Sequence, residues 1–99
     1  MAYRIEYDRD AEDHLAALSA RDQAIVLDSV VGQLEHQPTV ATRNRKPMGV
    51  NPLAPWELRI GRLRVYYDVQ MKPDRVVTIR AVGVKERNRV RVGGKEIGL

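Results

Sequence analysis

Apolar and polar residues alternate from Ala2 to Tyr7, with Tyr3, Ile5 and Tyr7 on one side and Arg4 and Glu6 on the other. A period of two predicts a first strand. Ala11, Leu15 and Leu18 then stand at i, i+4 and i+7 behind Asp8 and Asp10, which predicts a short amphipathic helix from Asp10 to Leu18. Ser19-Ala20-Arg21-Asp22 resembles a capping box with Asp in the place of Glu or Gln. It opens a second helix, predicted to run to Glu35, whose apolar stripe is Leu27, Val30, Val31 and Leu34, widened by Ile25 and Val26. So short a linker predicts an antiparallel helical hairpin.

From Pro38 to Pro55 the periodicity stops, and Pro47, Gly49, Asn51 and Pro52 punctuate a loop charged by Arg43, Arg45 and Lys46. Alternation then returns three times. Trp56, Leu58 and Ile60 alternate with Glu57 and Arg59; after a Gly61-Arg62 turn, Leu63, Val65, Tyr67 and Val69 alternate with Arg64, Tyr66, Asp68 and Gln70. A turn at Lys72-Pro73-Asp74 leads into a β-branched strand from Arg75 to Val84. The predicted class is α+β: an N-terminal strand, an α-helical hairpin, then three antiparallel strands (β-α-α-β-β-β) with the helices on one face. Residues 1–99 read as one domain, with 85–99 a basic C-terminal tail that either extends the last strand or hangs free.

Charge sharpens this picture. Residues 1–42 hold three bases against eight acids, a net of −5, whereas residues 43–99 hold fourteen bases against five acids, a net of +9. A dense basic half is the footprint of a partner rich in phosphate or carboxylate. The chain has no cysteine, which excludes disulfides, thiolate metal sites and cysteine nucleophiles, and no metal-ligand spacing is present. No cofactor is expected. The N-terminus has no apolar h-region and no apolar run approaches membrane-spanning length, so a cytoplasmic protein is expected.

Strand parity gives the basic half a location. If Trp56, Leu58, Ile60, Leu63, Val65 and Tyr67 face the helices, then Arg59, Arg64 and Tyr66 face away. Arg80 joins them if Val77, Ile79 and Ala81 point inward, and Lys85 and Arg87 follow at the end of that strand. Guanidinium groups on an open sheet face suit bidentate phosphate contacts, and Tyr66 offers a ring on which a base can stack. In the tail, Arg87, Arg89 and Arg91 alternate with Asn88, Val90 and Val92. His14 and His36 read as surface or cap residues, Trp56 and Tyr67 as core.

The order of elements, the segment Pro55-Trp56-Glu57-Leu58-Arg59-Ile60-Gly61-Arg62-Leu63-Arg64-Val65-Tyr66-Tyr67-Asp68-Val69, and the later Ala81-Val82-Gly83-Val84-Lys85-Glu86-Arg87 resemble the RelE/ParE toxin superfamily of bacterial toxin–antitoxin systems. The resemblance implies a RelE-like toxin that enters the ribosomal A site and cuts mRNA by attack of a ribose 2′-OH on the adjacent phosphate, without metal. It implies catalytic roles for Arg64, Lys85, Arg59 and Arg87, and RNA contacts for Arg43, Arg45, Lys46, Tyr66, Arg80, Arg89 and Arg91. It also implies a cognate, acidic antitoxin protein as partner. The chain departs from the RelE type at Glu57, where a lysine is usual, and at Arg91, where the C-terminal tyrosine falls; no histidine follows His36. ParE-like relatives, which inhibit DNA gyrase by protein binding, share the fold and set the alternative. A toxin-fold protein without toxicity is the third reading.

Overall fold

The computed structural model describes residues 2–98. Its elements run β1 (Arg4–Tyr7), α1 (Arg9–Ala16), α2 (Ala20–Leu34), β2 (Arg45–Pro47), β3 (Trp56–Ile60), β4 (Leu63–Gln70), β5 (Val76–Glu86), β6 (Arg89–Val92) and β7 (Lys95–Ile97). The α+β class with two helices before the main run of strands stands. Among the described residues the expected three strands after the helices become six, which follow one another in the order β2-β3-β4-β5-β6-β7, with β1 joining the same sheet beside β5. At eleven residues, β5 is long enough to carry β4 along one edge and two strands along the other. Its first half there pairs in parallel with β1, from Arg4↔Val76 to Tyr7↔Ile79, and its second half pairs with β6.

The helices start where side-chain chemistry puts them. Ser19 caps α2 by accepting from the Asp22 amide at 3.1 Å. The reciprocal half of the box is missing, because the Asp22 carboxylate accepts from Arg62 at 2.7 Å instead. Asp8 precedes α1 but makes no side-chain cap bond, its carboxylate being held by Arg80 at 3.2 Å. α2 buries Val26, Val30 and Leu34, whereas Leu27 and Val31 of the predicted stripe are 43% and 51% exposed. Ile25 packs against the same core while partly exposed.

The main core lies between helices and sheet. Ala11, Val26, Val30 and Leu34 pack on Leu58, Leu63, Val65, Tyr67, Val77 and Ile79, as strand parity requires, and also on Val82. Trp56 and Tyr67, paired across β3 and β4, stack with centroids 6.0 Å apart. The Tyr67 hydroxyl donates to the Pro38 carbonyl at 2.6 Å, pinning the end of the hairpin to the sheet. Tyr67→Phe leaves that buried carbonyl unpaired and is expected to cost about 1–2 kcal/mol, seen as a lower urea midpoint at unchanged m.

One inward residue was assigned to the wrong face. The register of β4 on β5 shifts between Tyr66 and Tyr67, which pair with Ala81 and Ile79 and leave Arg80 as the extra residue of a bulge. Val77 and Ile79 point to the helices, but beyond the bulge Val82 does so and Ala81 turns to the opposite face. The Val82 amide finds an acceptor in His14 Nδ1 at 3.3 Å, giving that histidine a structural task in place of a surface one.

The described part of the C-terminal tail is structured, Leu99 lying outside the described residues. Glu86 pairs with Arg89 across Arg87 and Asn88, whose φ of 50° and 70° make a two-residue turn of the I′ kind. Val92 pairs with Lys95 across Gly93 and Gly94, both left-handed as well. The resulting arm brings Val90, Val92 and Ile97 to the face away from the helices. There they join Met48, Leu53 and Ala54 of the long loop in a second, smaller core over Tyr66 and Ala81. That loop is tied down by Asn51, whose side chain accepts from the Leu53 and Ala54 amides and donates to Gly49 and Ala54 carbonyls. The face expected to be open is therefore partly roofed.

Candidate functional site

What the roof leaves uncovered is a cleft of about 380 Å³ between β2, the loop after it and the start of the arm, lined by Lys46, Glu57, Arg59, Arg64, Lys85 and their neighbours. Register explains the gathering. Lys46, Glu57, Tyr66 and Ala81 are opposite one another across β2, β3, β4 and β5, so they share a face. Arg59, Arg64 and Gly83 form the next row, and Lys85 lies two residues beyond Gly83 on the same side.

Arg59 directly opposes Arg64, an arrangement of like charges that destabilises a strand pair unless something offsets it. Arg59 is offset by Glu57, whose carboxylate accepts from Arg59 Nε at 2.7 Å. Arg64, only 8% exposed, donates through Nη1 to the Gly61 and Leu63 carbonyls at 2.6 and 2.9 Å. Gly61 supports this with a φ of 58° at the first position of the two-residue β3–β4 turn, which turns its carbonyl within reach. Those bonds fix the guanidinium but leave its charge uncompensated. Among the described residues neither Arg64, Lys46 nor Lys85 has a carboxylate within ion-pair distance, so four cations surround one acid. Such a site attracts an anion with several oxygens.

Tyr66 lies beneath this cleft, fully buried. Burial holds its pKa well above the ordinary 10.0, and the Glu57 charge across the strand pair raises it further. Its hydroxyl interacts with the Glu57 carboxylate, which adds to the rise, although the contact falls outside strict hydrogen-bond geometry. The ring cannot stack on a base, because Ala81, Val92 and the loop already cover it. Tyr66→Phe removes a buried hydroxyl that lacks a well-formed hydrogen bond, so desolvation relief offsets the lost Glu57 interaction and stability is expected to change by no more than about 1 kcal/mol. Burial likewise raises Tyr67 above 10.0. Above that pH the unfolded chain ionises both phenols while the folded chain keeps them protonated. Stability is thus full below pH 10.0 and falls as the pH climbs beyond it, a decline that equilibrium unfolding in alkaline buffers measures and that Tyr66→Phe lessens.

The remaining candidates are dispersed. Arg45 is 8% exposed and turned inward, donating to the Val40 carbonyl and to both the backbone and side-chain oxygens of Gln33, each at 2.9 Å. It anchors the loop to α2. Arg43 is exposed on that loop, outside the cleft lining. Arg80 pairs with Asp8 at 3.2 Å and Asp68 at 3.5 Å, facing a separate hollow beside His14. Arg87 sits in the turn between β5 and β6 and lines a separate hollow with Glu86, Arg89 and Arg91. Arg89 and Arg91 are paired with Glu86 and Val84, which puts them on the reverse face from Val90 and Val92; Arg89 is held by Glu96 at 3.3 Å. The tail arginines thus form a second basic patch behind the cleft.

Two contributors were not foreseen. Glu57 is the one carboxylate in the cleft lining, and Asn88 with Val90 forms its far wall. The alternation of Trp56, Leu58 and Ile60 already placed Glu57 on this face, but nothing in the sequence placed the arm beside it. Among the described residues, no group of His, Cys, Asp and Glu side chains is arranged to hold a metal, and no helix is long and apolar enough to cross a membrane. No protein-family model matches the chain, and a search of curated proteins finds no match.

Proposed function

We propose that the chain is a RelE-like toxin that binds RNA in the cleft and cleaves mRNA on the ribosome. The observation that carries this reading is the pair of opposed arginines, Arg59 and Arg64, flanked by Lys46 and Lys85 with a single carboxylate among them. Charge of that kind stabilises the dianionic phosphorane that forms when a ribose 2′-oxygen attacks the adjacent phosphorus. In this reaction the 2′-O–P bond forms and the P–O5′ bond breaks, leaving a 2′,3′-cyclic phosphate and a 5′-hydroxyl. Glu57 is the group in the cleft suited to take the 2′-hydroxyl proton, and Lys85 is suited to return one to the leaving oxygen. Tyr66, buried and held protonated, takes neither part. Arg64 positions and neutralises the phosphate, since its Nη1 bonds already set its orientation.

An acidic antitoxin would silence such a site by covering the cleft with carboxylates. One observation favours the ParE-like alternative. The cleft contains no histidine, and its only acid is engaged by Arg59, so proton transfer rests on one ion-paired group. A translation extract programmed with a defined mRNA, run beside a gyrase supercoiling assay, separates the two. Truncated mRNA with unimpaired supercoiling is expected; the reverse pattern assigns the chain to gyrase inhibition.

A further inference from the structure

α2 carries a second apolar line that the fold does not use. Ala20, Ala24, Leu27 and Val31 are all exposed, although Leu27 and Val31 belong to the stripe the sequence directs to the core. Their spacings of four, three and four residues are those of a two-helix seam. The core is served by Val26, Val30 and Leu34, about a quarter-turn away.

The order of residues along this seam specifies what covers it. Small residues come first and large ones second. Beside it stand Arg21 and Asp28, both exposed and, among the described residues, without an ion-pair partner. They are seven residues apart, about 10 Å along the axis, too far to meet within one helix. A second copy in the same direction would oppose alanine to alanine and Arg21 to its own kind, leaving gaps and repulsion. An antiparallel copy sets Ala20 against Val31 and Ala24 against Leu27. It also brings each Arg21 beside the Asp28 of the other helix, twice over by symmetry.

We infer that α2 is the interface of an antiparallel homodimer, related by a two-fold axis passing between Ala24 and Leu27. A two-fold contact must be self-complementary, and this helix is so in both volume and charge. The interface is a single helix pair, so a reversible equilibrium in the micromolar range is expected rather than an obligate dimer. The cleft lies on the other face of the sheet and stays accessible in both copies.

Sedimentation equilibrium across a concentration series tests this on the full chain. The wild type is expected to dimerise, and Leu27→Glu to be monomeric with an unchanged far-UV spectrum and unfolding midpoint. Arg21→Asp and Asp28→Arg each replace two attractions by two repulsions and should raise the dissociation constant about tenfold. The double variant R21D/D28R restores the attractions and should return it to the wild-type value. A monomer at every concentration, a dimer indifferent to Leu27→Glu, or a double variant as weak as the singles would each overturn the inference.

Discussion

Arg64→Ala is expected to lower ribosome-dependent mRNA cleavage by about two to three orders of magnitude, the loss typical of removing one preorganised charge from an oxyanion-type site. Two features make Arg64 the most sensitive position. It carries no ion pair among the described residues, so its full charge is available to the phosphate, and it is immobilised at 2.6 and 2.9 Å by carbonyls of the β3–β4 turn. Arg59 is expected to matter less, because Glu57 already engages it at 2.7 Å. Losing the Nη1 bonds also costs about 2 kcal/mol of stability. Rates are therefore to be measured below the unfolding transition, with Arg64→Lys alongside. Lysine keeps the charge but not the bidentate geometry, so it should recover stability of binding more than rate.

The largest structural effect is expected at Gly83. A Cβ there would lie 2.6 Å from the Arg91 carbonyl oxygen and 2.8 Å from Val92 Cγ2, so β6 must move aside. The blocking atom is backbone, which cannot swing away as a side chain would. Gly83→Ala should cost about 2–3 kcal/mol as overpacking. The loss concentrates in the arm: Val92 withdraws from Tyr66 and Ala81, and the cleft loses its Asn88–Val90 wall. Hydrogen exchange should show faster exchange at β6 and β7 amides, with α2 and β4 protected until global unfolding. Arm amides that exchange no faster than in the wild type would mean that the β5–β6 contact is looser than the 2.6 Å approach demands.

The parts of the fold legible in the sequence are those governed by local periodicity. Alternation located β1, β3 and β4, and the Ser19 cap located the start of α2. Parity correctly separated Leu58, Val65 and Tyr67 from Arg59 and Arg64, and hence defined one side of the cleft. What escaped depends on contacts distant in sequence. The bulge at Arg80 reverses parity within one strand, and no residue type there announces it. β2 is three residues inside a proline-rich stretch and exists because β3 offers it an edge. The arm was ambiguous because Arg87, Asn88 and the paired glycines signal turns only once a partner strand is known. Its fold moved Arg89 and Arg91 behind the sheet and roofed Tyr66, while Arg45 turned inward to Gln33. The half-wide basic asymmetry of the chain thereby contracts to Lys46, Arg59, Arg64 and Lys85 about Glu57.

The most direct measurement is primer extension on mRNA held in ribosomes with a defined A-site codon, using the purified chain and its Arg64→Ala variant. The expected result is a cut within the A-site codon whose upstream fragment ends in a 2′,3′-cyclic phosphate, with the variant leaving the message whole. Intact mRNA at concentrations that arrest growth, or cleavage undiminished by Arg64→Ala, would contradict a catalytic role for the cleft.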